Sequence, residues 1–216
     1  MSALELITVA VPKGRLLTES SALFEAALGV NPGRLLSGTR KLGVVDRATG
    51  LRFISIRAAD VASYVEHGAA DVGVCGLDVL REEPRDLYEP LDLGIGRCKM
   101  ILARPRGARP LPRGAAPRIA TKYSRIATEH FARKSLPAEI IHLHGSIEVA
   151  PSLGLADAIV DITETGATLE ANGLAVEETV LEVSARLVVN RVALKLHAER
   201  LRRLVAALRQ ACAARG

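Results

Sequence analysis

The segment Asp161-Ile162-Thr163-Glu164-Thr165-Gly166-Ala167-Thr168-Leu169 concentrates the chemistry of this chain. An apolar run, Leu155 to Ile162, ends in two acidic residues and a small polar Thr-Gly-Ala-Thr turn, and a helical pattern starts near Thr168. That order sets backbone N–H groups and hydroxyls at a helix N-terminus, where the macrodipole favours an anion. Asp161 and Glu164 flank the turn as acceptors, suited to hydroxyls or to a phosphate-bound metal. Donors for a phosphate beside acceptors for a diol are what a ribose-5-phosphate group requires. The competing reading is an ordinary capped helix after a buried strand, with Thr165 or Thr168 as N-cap.

Cations recur where strands should end. Lys13 and Arg15 flank Gly14 after the first apolar run and could neutralise phosphate, Arg bidentately. Arg40-Lys41 could serve a second anionic group. Arg57 ends another strand, and with Asp60 one turn later it could equally form a structural ion pair. The histidines build no metal site: His142 and His144 share a face without a carboxylate or cysteine beside them, and His67, His130 and His197 sit on separate helices. No Ser-His-Asp order, G-x-S-x-G elbow or Walker A loop is present. The chemistry implied is phosphate handling without a covalent nucleophile.

The elements that must position these groups follow from composition and pattern. With 49% hydrophobic residues but 3% aromatic, the 216-residue chain builds its core from Ala, Val, Leu and Ile, as suits buried parallel strands covered by helices. Few aromatics also argue against a stacking platform for single-stranded nucleic acid. The net charge of +5 is scattered and does not by itself indicate nucleic acid. Three cysteines without C-x-x-C spacing read as reduced thiols, and neither a signal pattern nor a membrane-length apolar run appears, so a cytoplasmic protein is expected.

Strands are predicted over Leu4–Val11, Leu51–Ile56, Asp71–Cys75, Leu93–Ala103, Arg118–Thr121, Glu139–Leu143, the run into the 161–169 segment, Val176–Val183 and Ala185–Val189. Helices are predicted after Thr18 or Ser20 as cap, after Asp60 as cap, over Leu77–Glu83, Ser124–Ser135 and Ile147–Leu153, and over Arg191–Ala214. The alternation indicates an α/β protein. One echo stands out: residues 68–74 (GAADVGV) resemble 154–160 (GLADAIV), and each is followed by a Gly-containing turn with an acidic residue, Gly76-Leu77-Asp78 and Glu164-Thr165-Gly166. Two lobes of similar topology, with ligands beyond the carboxyl ends of strands, would explain it.

The stretch Glu148–Leu169 resembles the signature of the ATP phosphoribosyltransferase family, and the likeness continues through 11–16, 40–42, 57–80, 118–123 and 184–191. The resemblance implies a two-lobed, periplasmic-binding-protein-like (type II) α/β fold, each lobe a mixed, largely parallel sheet flanked by helices. Residues 1–95 with 180–216 would form lobe I, and 96–179 lobe II. It implies condensation of ATP with 5-phosphoribosyl 1-pyrophosphate to 1-(5-phosphoribosyl)-ATP and pyrophosphate, the first step of L-histidine biosynthesis, with Mg²⁺ carried by substrate phosphates. Thr165, Gly166, Ala167 and Thr168 would hold the donor's 5-phosphate, and Asp161 and Glu164 its ribose hydroxyls. Lys13, Gly14, Arg15, Arg57, Gly76 and Asp78 would bound ATP and pyrophosphate; Arg15, Arg40 and Glu164 would be catalytic. Leu77 stands where many relatives carry Lys, which removes any anionic contact there. The likeness is to the short form, expected as a homodimer associating with a histidyl-tRNA-synthetase-like regulatory subunit, with no nucleic acid or membrane. The alternative is a two-lobed binding or sensor domain without catalysis.

Overall fold

The computed structural model describes residues 5–37, 43–108 and 116–215. The chain forms two compact units: Met1–Leu80, Pro84–Gly96 and Ser184–Gly216 make one, and Arg81–Glu83 with Arg97–Val183 the other. In chain order the first contributes β1 (Ile7–Pro12), α1 (Arg15–Leu28), α2 (Pro32–Ser37), β2 (Gly43–Asp46), β3 (Leu51–Ile56), α3 (Val61–Glu66), β4 (Val72–Gly76), α4 (Leu77–Glu82) and β5 (Tyr88–Asp92). The second follows with β6 (Cys98–Pro105), β7 (Arg118–Thr121), α5 (Ser124–Arg133), β8 (Glu139–His142), β9 (Ala158–Thr163), α6 (Ala167–Ala171) and β10 (Leu174–Val183). The first unit closes with β11 (Ala185–Val189), α7 (Arg191–Leu196) and α8 (Ala198–Ala213).

Both sheets are mixed. The first runs β2-β3-β1-β4-β11-β5, with β1 parallel to β3 and β4. The second runs β10-β6-β9-β7-β8, with β7 parallel to β8 and β9. β10 pairs with β6 from Leu174 to Val183, which keeps it in the second unit to its last residue. On one face of the first sheet Leu23 and Phe24 of α1 and Leu201, Leu204 and Leu208 of α8 pack on Val9, Val11 and Phe53. The Phe24 and Phe53 rings meet edge-to-face at 5.4 Å. On the other face α3 approaches β4 so closely that a Cβ on Gly73 would stand 2.7 Å from methyls of Val61 and Val65. No helix among the described residues is long and apolar enough to cross a membrane.

The internal echo has a physical cause. Gly68 and Gly154 both take a left-handed turn, at φ 73° and 70°, which costs glycine little. Ala70 and Ala156 are buried, and the following Asp grips the neighbouring parallel strand. The Asp71 carboxylate accepts from Thr8 N at 2.7 Å while its own N–H donates to Thr8 O. Asp157 does the same with Arg118, accepting its N–H at 2.8 Å and donating to its carbonyl. Each pair lies one residue before the register Val9↔Val72 or Ile119↔Ala158, so the same side chain pins the start of a parallel ladder in both units.

Several expectations are corrected. Helix α1 begins at Arg15, a turn before Thr18 or Ser20, because Gly14 at φ 78° breaks the strand and serves as N-cap; Ser20 lies inside the helix and donates back to Leu16 O. Asp60 precedes α3 but makes no side-chain cap. The strand predicted from Leu93 starts at Cys98, since Gly94 and Gly96 both adopt positive φ. The helix predicted over Ile147–Leu153 is a single 3₁₀ turn, Ile147–Val149. The terminal helix is two helices, interrupted at His197 (φ −117°), with the first capped by the Asn190 side chain accepting from Val192 N and Ala193 N. Strands β2 and β5 and helix α2 escape the sequence pattern: all three are short, and β5 carries Pro90 on a sheet edge.

Charge-assisted bonds of this kind contribute roughly 1–2 kcal/mol at a half-exposed site. Asp157→Ala should therefore lower unfolding stability by about that amount in urea titrations at neutral pH, and Asp157→Asn by less. Its main-chain partner Arg118 N–H holds the Asp157 pKa below the ordinary value, with the Arg118 guanidinium adding to this against some desolvation. The stabilisation is present above the unfolded-state pKa and lost as pH falls through the lowered folded one, so parent and Asp157→Ala should converge in acid. Equal stability of the two at pH 7 would refute the pinning role.

Candidate active site

In the first unit the parallel strands β3, β1 and β4 deliver their carboxyl ends side by side. Pro12 lies opposite Ile56, and Lys13 N donates to Ile56 O at 3.0 Å, so Lys13, Gly14 and Arg15 emerge beside Arg57. All four are exposed. Because α1 starts at Arg15, these cations stand at the N-terminus of a 14-residue helix that carries no acidic residue in its first turn. Helix dipole and side-chain charge thus favour an anion at the same spot. Arg15 also lies 3.5 Å from Glu19, a half-exposed pair that a polyphosphate could outcompete.

The Gly76–Asp78 turn follows β4 on the same edge. A Cβ on Gly76 would fall 2.2 Å from Asp78 Oδ1, so glycine lets the carboxylate fold back over the strand end. Leu77 is buried, at 6% exposure, and its N–H donates to Ser184 O. It is a piece of the core, in keeping with its lack of a charge role. Arg40 lies outside the described residues.

In the second unit, the whole 161–169 segment lines one cavity of about 300 Å³ together with Glu148. Asp161 is on β9, Thr163 ends that strand, and α6 starts at Ala167 after Gly166, whose φ of 80° makes the sharp corner. The N-cap of α6 is Gly166, without a side-chain bond, and not Thr165 or Thr168 as expected of a capped helix there. The Thr163 hydroxyl, unremarked in the sequence, accepts from Gly166 N at 3.0 Å and closes the loop. Thr165 Oγ1 accepts weakly from Ala167 N at 3.4 Å. The first main-chain bond of α6 is Glu170 N to Gly166 O, so the amides of Ala167, Thr168 and Leu169 all precede the helical ladder. Glu164, Thr165, Ala167 and Thr168 are exposed at the rim.

Asp161 is the electrostatically stressed group. Burial pushes its pKa up, with the nearby Glu148 charge acting in the same direction; the Ile162 N–H at 2.8 Å and Lys122 at 3.9 Å oppose this. Glu148 and Lys122 come from other segments, the 3₁₀ turn and the end of β7. Sequence reasoning gave neither a site role, although both lie within the stretches that carry the family resemblance. The histidines remain outside: His130 is a buried partner of Glu178 at 2.9 Å, and His142 meets the Ser124 hydroxyl at 3.0 Å and the His144 ring edge-on. The first-unit cations and the second-unit cavity belong to separate compact units.

A family model for ATP phosphoribosyltransferase matches residues 57–210. The ATP phosphoribosyltransferase of Anaeromyxobacter sp. (strain K) is 79% identical over 212 residues, covering 98% of this chain and 96% of that protein. The chain belongs to the ATP phosphoribosyltransferase family. A more distant member, from Geobacter metallireducens, is 46% identical over 210 residues, with 94% and 97% covered. Among solved structures, the ATP phosphoribosyl transferase (HisG:HisZ) complex from Thermotoga maritima superposes with a TM-score of 0.80 at 33% identity, covering 97% of this chain and all of that one. The periplasmic aliphatic sulphonate binding protein SsuA from Escherichia coli shares the fold at 13% identity, with a TM-score of 0.60 and coverage of 97% and 73%. The fold is thus the two-lobed, periplasmic-binding-protein-like one.

As a family member the chain is a pentosyltransferase that joins ATP to 5-phosphoribosyl 1-pyrophosphate in the first step of histidine biosynthesis. That assignment replaces the binding-or-sensor alternative, because the high identity spans nearly the whole of both chains.

A buried carboxylate with a raised pKa costs folding free energy once ionised. Below the unfolded-state pKa that penalty vanishes; as pH rises through the raised folded value it appears in full. Asp161→Asn keeps the acceptor for Ile162 N and removes the charge. It should therefore be at least as stable as the parent at pH 7.5, with the difference fading below about pH 4, as read by thermal melts. A marked loss of stability at pH 7.5 would contradict this picture.

Proposed function

We propose that the Asp161–Leu169 cavity is the subsite for the phosphoribosyl donor and that the Lys13–Arg15 turn, with Arg57 and the Gly76–Asp78 turn, serves ATP and the departing pyrophosphate. The observation that carries the first part is the cavity itself, lined by the segment whose amides precede a helix ladder and by the carboxylates of Asp161 and Glu164. The terminal phosphate would take the amides of Ala167 and Thr168 and the hydroxyls of Thr165 and Thr168, replacing the weak Thr165–Ala167 contact. Asp161 and Glu164 would accept from the ribose hydroxyls. The second part rests on cations at the N-terminus of α1, beside the Arg57 strand end.

Adenine N1 is already a nucleophile, so the tasks left to the protein are alignment and charge neutralisation. N1 forms a bond to ribose C1 as the C1–O bond to pyrophosphate breaks, and the electron pair leaves with the pyrophosphate. Arg15 would stabilise that developing charge better in the transition state than in the ground state. Glu164 would help manage the proton on the attacking adenine. Mg²⁺ would ride on the substrate phosphates, with phosphate oxygens and water as main ligands. No group of three or more His, Cys, Asp or Glu side chains among the described residues is placed to hold a metal ion by itself; Asp161 and Glu164 at the cavity are oxygen donors that could reach an ion carried by phosphate. The enzyme would work in the cytoplasm, as a homodimer joined to a histidyl-tRNA-synthetase-like subunit; the HisG:HisZ complex from T. maritima supports the association with a second kind of subunit.

Pyrophosphate release should require ATP, donor and Mg²⁺ together. Thr168→Val should raise KM for the donor roughly tenfold, the loss of one charge-assisted hydrogen bond, and leave KM for ATP unchanged. Unaltered donor KM would remove Thr168 from the phosphate site. Arg15→Ala should lower kcat about 100-fold while the melting temperature stays within a few degrees. A loss of activity that merely follows unfolding would rule out its charge role.

A further inference from the structure

Lys122 has so far been given no part in the reaction, yet its placement is specific. It leaves β7 immediately after Thr121, which lies opposite Val160 in the parallel pairing with β9, so its side chain starts beside Asp161. The ammonium stands 3.9 Å from Asp161 Oδ1 and 4.9 Å from the centroid of the buried Tyr123 ring. The first distance is too long for a hydrogen bond but short enough for strong attraction to a carboxylate whose side chain is only 15% exposed. The ring face gives the ammonium a second hold.

The charges around Asp161 make that attraction consequential. Glu148 lines the same cavity and repels it, and the exposed Glu164 stands at the rim. On the facing strand β6, Lys99 stands opposite Thr163 and is paired with Glu182 at 3.4 Å. Among the described residues, the cation in ion-pair range of Asp161 is Lys122.

We infer that Lys122 is a positioning residue that acts through Asp161, holding that carboxylate against the repulsion of Glu148 in the orientation that accepts the donor's ribose hydroxyls. The inference rests on the donor-subsite reading and deepens it. Lys122 touches neither phosphate nor adenine in this account.

A double-mutant cycle on the full chain tests it, with KM for 5-phosphoribosyl 1-pyrophosphate, KM for ATP and kcat measured for Lys122→Met, Asp161→Asn and the double variant. Lys122→Met should raise donor KM about three- to tenfold with ATP KM unchanged, and Lys122→Arg should restore it to within about twofold. The double variant should be no worse than Asp161→Asn alone. Additive effects would mean that Lys122 meets the donor directly, and a silent Lys122→Met would remove it from the site; either overturns the inference while leaving the subsite intact. Losses in both Lys122 variants that track a lowered melting temperature would assign it a structural role and overturn the inference too. Should Asp161→Asn leave donor KM unchanged, the subsite reading itself fails, and this inference with it.

Discussion

Register is the constraint on which the rest of this molecule depends. In each unit an aspartate at the head of a strand, Asp71 or Asp157, grips the main chain of its parallel neighbour. A slip of one residue would turn every side chain to the opposite face and move every strand end along the sheet. With register pinned, the Gly76–Asp78 turn leaves β4 alongside the end of β1, and Lys122 emerges beside Asp161. The small Gly-x-Ala-Asp motif that recurs at 68–71 and 154–157 is therefore the shared foundation of both candidate substrate regions.

Two opposite electrostatic devices are built on that foundation. In the first unit, exposed cations and a helix N-terminus create a region suited to highly charged polyphosphate. In the second, a partly buried aspartate near Glu148 shares a cavity with the segment that carries the helix-start amides. The latter is poor for stability and good for recognition, because a desolvated carboxylate gains most when a hydroxyl donor arrives. Family membership assigns the chain its reaction, the joining of two polyanions whose mutual repulsion must be offset.

What the sequence made legible followed from local signals. Leu51–Ile56 and Arg118–Thr121 are strands over the ranges expected, because β-branched apolar runs are bounded by charged or turn residues. The 161–169 loop was legible because its chemistry is contiguous. Glu148 and Lys122 were not, since only tertiary pairing of β7, β9 and the 3₁₀ turn brings them to the cavity. The start of α1 was misplaced because Gly14, rather than a hydroxyl side chain, ends the strand and opens the helix, a conformational effect that cap statistics do not register. The break at His197 was hidden because the apolar periodicity of Leu201, Leu204 and Leu208 belongs to α8 alone, while α7 is fixed by Asn190.

The central claim is that helix-end amides between Gly166 and Leu169 receive the donor's terminal phosphate. Amide chemical shifts followed during titration with 5-phosphoribosyl 1-pyrophosphate and Mg²⁺ address it directly. The Ala167 and Thr168 amides should move together, with a midpoint at the concentration that half-saturates the reaction. Saturable donor binding that leaves those two amides unmoved would contradict the claim.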